Sequence, residues 1–355
     1  MSLQKLFTPY QLGDLQLSNR IVMAPLTRNR ADSSGIPTDI MADYYSQRAT
    51  AGLIVAEGTW PVVIGQAYSR QPGIETSEQI SAWRKVTDAV HNKGGRIVVQ
   101  IMHGGRIGCK AIKPDGVETV APSAITAAGE VYTDSAGMQP YDQPRELTTE
   151  QVEEVVQQHK QAALNARAAG FDGVELHCTS GYLPMQFLSS GTNQRVDQYG
   201  GSLENRVRFP IECIKCMSDA IGSGRVGFRV RPASTYNDIH DDDPIATHME
   251  LFRQTSTMNL AYAHVMLSPD KSFDAYSRAR EFFPDNLIIN DGFDGHSAAN
   301  AIDENLSDAV SFGRHFIANP DLVQRFQGDK PLADFNRKTL YTAGAVGYSD
   351  YPEAS

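Results

Sequence analysis

The sequence predicts a single α/β domain built as a (β/α)8 barrel, with an N-terminal hairpin plug and a long excursion after the third strand. Three observations carry this. Eight short apolar runs rich in β-formers recur along the chain. Most are continuous apolar strings rather than alternating ones, as strands buried on both faces should be. Segments of helical periodicity separate them, and eightfold alternation favours the closed TIM barrel over a doubly wound sheet.

Residues 7–19 read as a hairpin turning at Gly13-Asp14, a plug for the barrel bottom. Strands are predicted at 20–26, 53–59, 96–102, 173–177, 226–232, 260–266, 286–291 and 308–313. Helices are predicted at 38–50, 77–92, 148–169, 202–221 and 244–258. Thr148 or Thr149, followed by acids and glutamines, has the pattern of a capping box. Gly94 and Gly170 stand where C-caps often fall. From His103 to Leu147 the chain holds Pro, Gly and Asp and no long periodic segment. Such a loop inside a compact domain is usually functional, and here it is expected to form a lid over the C-terminal face. No linker or low-complexity tract interrupts the pattern, so residues 1–355 are read as one domain.

Composition excludes several classes. The chain has 355 residues, 41% of them hydrophobic, enough for a large core. A net charge of −10 argues against nucleic-acid binding. Met1 to Gly13 has no apolar run long enough for a signal peptide, and no segment approaches a membrane span, so a cytoplasmic protein is expected. The four cysteines are too sparse for a disulfide framework. Cys213 and Cys216 form a C-x-x-C, but within a helical pattern that spacing marks one buried face, and no second ligand pair follows. Asp241-Asp242-Asp243 reads as a solvated loop, without the glycine and glutamate of a calcium site. No metal is expected.

In such barrels the chemistry gathers at the C-terminal ends of the strands. These ends carry Pro25-Leu26-Thr27, Gly58, Gln100 with Met102 and His103, His177 with Tyr182, Arg229 with Arg231, Asn290-Asp291-Gly292 and Gly313-Arg314. Between Val174 and Leu183 a buried strand ends in His177, a small-residue turn follows, and Tyr182 comes next. A histidine and a tyrosine held together can grip a carbonyl-like oxygen and deliver a proton. Loops after strands seven and eight commonly bind phosphate. Gly292 and Gly313 allow backbone N–H groups to approach an anion, and Arg314 adds charge. A phosphorylated cofactor or substrate is therefore expected. Arg231 is expected to form a salt bridge in the barrel wall, and His103 to hold the lid.

Together with Leu6-Phe7-Thr8-Pro9, Asn19-Arg20, Asn319-Pro320-Asp321-Leu322 and the segments 100–106, 177–202, 226–229 and 341–352, these residues give a chain that resembles the old yellow enzyme family of flavoprotein ene-reductases. The resemblance spans nearly the whole chain. It implies FMN at the barrel mouth, with Pro25, Leu26 and Thr27 backing the ring system and Gly58 lying against it. Gln100 would bond the pyrimidine portion, Arg229 would face the N1–O2 region, and Gly292, Gly313 and Arg314 would hold the phosphate. It implies ping-pong hydride transfer from NADPH or NADH to an α,β-unsaturated carbonyl or nitro compound. His177 would anchor the substrate oxygen and Tyr182 would protonate the α-carbon. Tyr68, Met102, Asn237 and Tyr341 would line the substrate pocket.

Two positions depart from the family. Ser180 stands where asparagine or a second histidine is usual, and Met102 where tryptophan is common. Losing one well-placed donor to a developing oxyanion costs roughly 2.7–4 kcal/mol. Two alternatives follow: a reductase of nitro compounds or nitrate esters with weak alkene reduction, or a flavin-binding barrel with little catalysis. A metal-dependent hydrolase would need a carboxylate–histidine set that the strands lack. Small-molecule partners are expected, with neither nucleic acid nor membrane, in a monomer or homodimer.

Overall fold

The computed structural model describes residues 3–354. The readings over 1–355 and from Met1 to Gly13 include Met1, Ser2 and Ser355, which lie outside the described residues. The eight barrel strands are Ile21–Met23, Leu53–Thr59, Ile97–Ile101, Gly173–His177, Val226–Val230, Tyr262–Met266, Leu287–Asn290 and Ala309–Phe312. All pair in parallel. The last returns to the first through Val310↔Ile21 and Ser311↔Val22, so the barrel has no free edge. The second and fourth strands match the sequence reading bound for bound. The first is shorter than expected. Ala24 still donates to the Phe312 carbonyl, but Pro25 has no N–H to continue the ladder.

The predicted helices appear as Asp39–Gln47, Ser77–His91, Thr149–Ala168, Leu203–Ile221 and Pro244–Thr255. The capping box forms at Thr148 with Gln151. Cys213 and Cys216 lie on the fourth of these; Cys213 is buried, and the Cys216 thiol donates to the carbonyls of Val156 and Cys213. All four cysteines are free. Among the described residues there is no group of three or more His, Cys, Asp or Glu able to hold a metal, and no helix is long and apolar enough to cross a membrane.

The plug is a hairpin, Tyr10–Leu12 against Leu15–Leu17. Leu12, Leu15 and Leu17 pack with Val22, Val55, Val98 and Ile288 in a cluster separate from the main core. A side chain on Gly13 (φ +53°) would come within 2.7 Å of Ala261 Cα, so the close docking needs glycine.

Two expectations are corrected. The excursion 103–147 is not structureless: Glu130–Thr133 pairs with Gly137–Pro140, and Val120–Ala121 with Arg145–Glu146. Strands of two to four residues are too short to leave a periodic signal. Its Ile107 and Ala127 pack with Ala67, Met102 and Tyr182, which sets it over the barrel mouth. Nor is 241–243 simply solvated. The Asp241 carboxylate is buried 3.6 Å from Arg206, and Asp243 caps the helix at Pro244.

Candidate active site

The C-terminal mouth opens into a cavity of about 640 Å³. Small-molecule sites usually enclose about 300–1,000 Å³. Pro25, Leu26, Thr27, Gln100, His177, Ser180, Arg229, Gly292, Gly313 and Arg314 all line it, as the sequence predicts.

Its floor is a buried polar network. Arg229 donates through Nη2 to Asn290 Oδ1 at 2.7 Å, while its buried Nη1 has no partner in the protein. Glu175 is fully buried and accepts from Gln100 Nε2 at 2.8 Å. Its other oxygen lies 2.8 Å from His264 Nδ1, and His264 Nε2 lies 2.7 Å from Ser311 Oγ. Desolvation opposes the Glu175 carboxylate, yet His264, Arg229 and Gln100 together hold its pKa below the ordinary range. Desolvation, then Arg229, pushes His264 down to about 4. The network thus balances one cation against one anion. Neutral His264 donates Nδ1–H to Glu175 and accepts the Ser311 hydroxyl. Sequence reasoning missed Glu175, His264 and Ser311. The available signal was polar residues inside otherwise apolar strands, at the alternate positions that face the axis.

His177 ends the fourth strand in register with Arg229. Burial, then the Arg229 charge, pushes its pKa down to about 3, so the imidazole is neutral. Its buried Nδ1 has no partner. The Tyr182 ring centroid is 4.9 Å away. Between them Ser180 (φ +59°) and Gly181 (φ +76°) turn through the left-handed region. A side chain on Gly181 would meet Asn237 Cβ at 2.6 Å. Asn237 Nδ2 fixes the turn by donating to the Ser180 carbonyl at 2.8 Å. Gln186 ties the turn to the lid, donating to the carbonyls of Gly181 and Gly104 and accepting from the Arg106 N–H. This clamp had no motif to betray it.

The remaining predicted residues lie beside the cavity. Tyr68, Met102 and Tyr182 form one cluster, with the two hydroxyls 2.8 Å apart. Met102 is almost wholly buried. Gly58 faces it: a side chain there would sit 2.4 Å from the Met102 sulfur. Neither Gly58 nor Tyr341 lines the cavity. Tyr341 is 58% exposed, and its carbonyl accepts from Arg70 Nη2. Arg314 is exposed at the rim, 3.6 Å from Asp291, and open space surrounds Gly292. Arg231 meets Asp291 at 3.5 Å, the expected wall ion pair. His103 anchors both sides of the mouth: its Nδ1 accepts from Gly105 in the lid, and its carbonyl from Leu183. Phe293, His315, Asp334 and Phe335 also line the cavity and were not anticipated.

Arg28 and Arg30 follow the Pro25–Thr27 wall and run away from the cavity. Arg28 donates to the carbonyls of Leu340 and Gly347, and Arg30 to those of Thr339, Leu340, Gly344 and Val346. The Arg30 guanidinium lies 4.7 Å from the Tyr348 ring, which stacks on Tyr44 at 4.0 Å.

The buried histidines make stability sensitive to acid. Desolvation pushes His159 and His264 to about 4, and His177 to about 3. An unfolded histidine titrates near pH 6.5. Below that pH the unfolded chain binds protons that the folded chain refuses. Stability is therefore full above about pH 6.5 and falls as pH drops toward 4, by up to about 1.4 kcal/mol per pH unit for each histidine. The urea midpoint is expected to be flat from pH 8 to 7 and to fall steeply between 6.5 and 4.5; a level profile there would refute the argument.

This arrangement offers a wide cavity, an unspent guanidinium N–H at the floor, an unspent imidazole nitrogen on one wall and a glycine-lined rim. It suits a large ligand with an anionic end and a second, smaller ligand beside His177.

Residues 5–333 match the model of the NADH:flavin oxidoreductase / NADH oxidase family. The chain is 41% identical to a probable flavin mononucleotide-dependent alkene reductase of Leishmania infantum, covering 99% of this chain and 98% of that protein. It is 40% identical to 12-oxophytodienoate reductase 1 of Oryza sativa subsp. japonica, covering 98% and 92%. Among solved structures, morphinone reductase in complex with tetrahydroNAD superposes with a TM-score of 0.94 at 42% identity, covering 99% of this chain and 98% of that one. The old yellow enzyme homologue from Zymomonas mobilis superposes equally well, at 0.94 and 36% identity, covering 98% and 99%.

Proposed function

We propose, because the chain belongs to the NADH:flavin oxidoreductase / NADH oxidase family and within it to the old yellow enzymes, that it reduces the activated C=C bond of α,β-unsaturated carbonyl or nitro compounds in ping-pong order. The enzyme is an FMN-dependent oxidoreductase that uses a nicotinamide cofactor. The observation that carries the residue-level reading is neutral His177, with an unspent buried ring nitrogen, 4.9 Å from the ring of Tyr182.

The chain's residues fit FMN. The unpartnered Arg229 Nη1 supplies a fixed cation at the floor, and Gln100 is held by Glu175 to present its amide. Pro25, Leu26 and Thr27 offer a wall without competing charge. Gly292, Gly313 and Arg314 at the rim suit the phosphate. Bound FMN supplies a two-electron carrier that takes hydride from the nicotinamide and returns it to the substrate. The protein's share is polarity and protons. Neutral His177 donates a hydrogen bond to the substrate oxygen and polarises the double bond. Tyr182, kept in its phenol form by burial, delivers a proton to the α-carbon. Tyr68, Met102 and Asn237 shape the pocket beside them.

Anaerobic NADPH is expected to bleach the flavin absorbance of the reconstituted protein. Cyclohexenone is then expected to restore it and yield cyclohexanone. Flavin that stays oxidised would leave only a binding role. Restoration by a nitrate ester but not by the enone would favour the nitro reductase.

Ser180 carries that second reading, since its hydroxyl is shorter than the amide or imidazole usual there. The φ of +59° suits asparagine, which tolerates the left-handed region. Ser180→Asn is expected to raise enone turnover by about 10-fold, short of the 10²–10³ that one fully placed oxyanion donor can supply. A loss in kcat would instead assign the serine to a different native substrate.

A further inference from the structure

The Tyr182 hydroxyl has one protein neighbour of its own kind. Tyr68 Oη lies 2.8 Å away, and the two rings meet edge to face at 6.4 Å. The pair sits among Ala67, Met102, Ile107 and Ala127, a dry setting for charge. A tyrosinate left there after donating its proton would be strongly disfavoured by desolvation. Tyr68 is the less buried of the two, half-buried where Tyr182 is 7% exposed. Tyr141, half-buried, packs against the same cluster. The bridge therefore leads from the more buried phenol to the one nearer water.

We propose that Tyr68 is the proton-relay partner of Tyr182, a positioning residue that discharges the tyrosinate as it forms. The proposal rests on Tyr182 being the α-carbon donor. When hydride reaches the β-carbon, the α-carbon takes the Tyr182 proton and the O–H bond of Tyr182 breaks. The Tyr68 proton moves across the 2.8 Å bridge to Tyr182 Oη. Water at the lid edge returns a proton to Tyr68. The net input is one proton from solvent, and both tyrosines end as phenols.

The test is a proton inventory of enone reduction by the FMN-loaded enzyme in mixed H2O and D2O. Unmodified enzyme is expected to give a bowed inventory, with two protons in flight. Tyr68→Phe is expected to slow the enone step by about 10- to 100-fold, the worth of one hydrogen bond to a charged group, and to straighten the inventory. Its effect should vanish in a Tyr182→Phe background, since the relay then has nothing to reload. A crystal structure of the Tyr68→Phe holoenzyme should keep Tyr182 Oη in place, which separates relay from mere support. A linear inventory in the unmodified enzyme would overturn the proposal, as would losses that multiply in the double variant, or a displaced Tyr182 in Tyr68→Phe. Enone reduction untouched by Tyr182→Phe alone would instead sink the underlying donor assignment. A slow Tyr182→Phe with a full-rate Tyr68→Phe would sink the relay alone.

Discussion

Tyr182→Phe is expected to lower the enone step by about 10²–10⁴-fold, the usual worth of a positioned general acid. The phenylalanine keeps the ring that packs 4.9 Å from His177 and loses only the hydroxyl. Substrate binding should therefore change little, and the loss should fall on kcat. Burial raises the phenol pKa well above its ordinary value, so the proton is present throughout the working pH range. The wild-type rate should then show no limb from Tyr182 ionisation between pH 6 and 9. Simple nitro reduction, which needs no proton on carbon, should be spared. Stopped-flow reoxidation with cyclohexenone checks the first claim; a rate within threefold of wild type would remove Tyr182 as the acid.

Arg229→Met is expected to destabilise the apoprotein by about 3–5 kcal/mol, because it leaves the Glu175 carboxylate buried without its cation. Asn290 also loses its donor. The double variant Arg229→Met/Glu175→Gln should recover much of that loss, since no uncompensated charge remains. Denaturant unfolding of both apoproteins, repeated with saturating FMN, separates intrinsic stability from ligand linkage. A single variant within about 1 kcal/mol of wild type would mean that the pair is not coupled as drawn. FMN affinity should fall in both variants, as both lack the guanidinium.

The barrel was legible because its signal is local. Continuous apolar runs such as Leu53–Thr59 leave a strand little alternative. The cavity's wall was legible because strand ends carry unusual residues at predictable places: Pro25, Gln100, His177, Arg229 and Gly313. What escaped depended on distance. Glu175 and His264 sit on different strands, 89 residues apart, and only the closed barrel brings them to 2.8 Å. Gln186 clamps the turns at 104–106 and 181 through three bonds, two of them across 80 and 82 residues, and no local pattern marks such contacts. Phe335 comes from a segment with no periodicity. Tyr341 went the other way, since its place in a matching motif says nothing of where an exposed ring points.

The clasp formed by Arg28 and Arg30 has a consequence for the order in which the molecule is made. Apart from the Arg28 carbonyl, every hydrogen-bond acceptor of the Arg30 side chain lies at or beyond residue 339. Arg28 finds the Leu340 and Gly347 carbonyls across separations of 312 and 319 residues. The cavity wall at Pro25–Thr27 is synthesised more than 300 residues before its restraint. Barrel strands adjacent in sequence can pair during synthesis, while the closure of the last strand on the first and these two guanidinium groups wait. Contacts of such separation are the slow ones in folding, so this wall of the cavity gains its clasp only once residues 339–347 are in place.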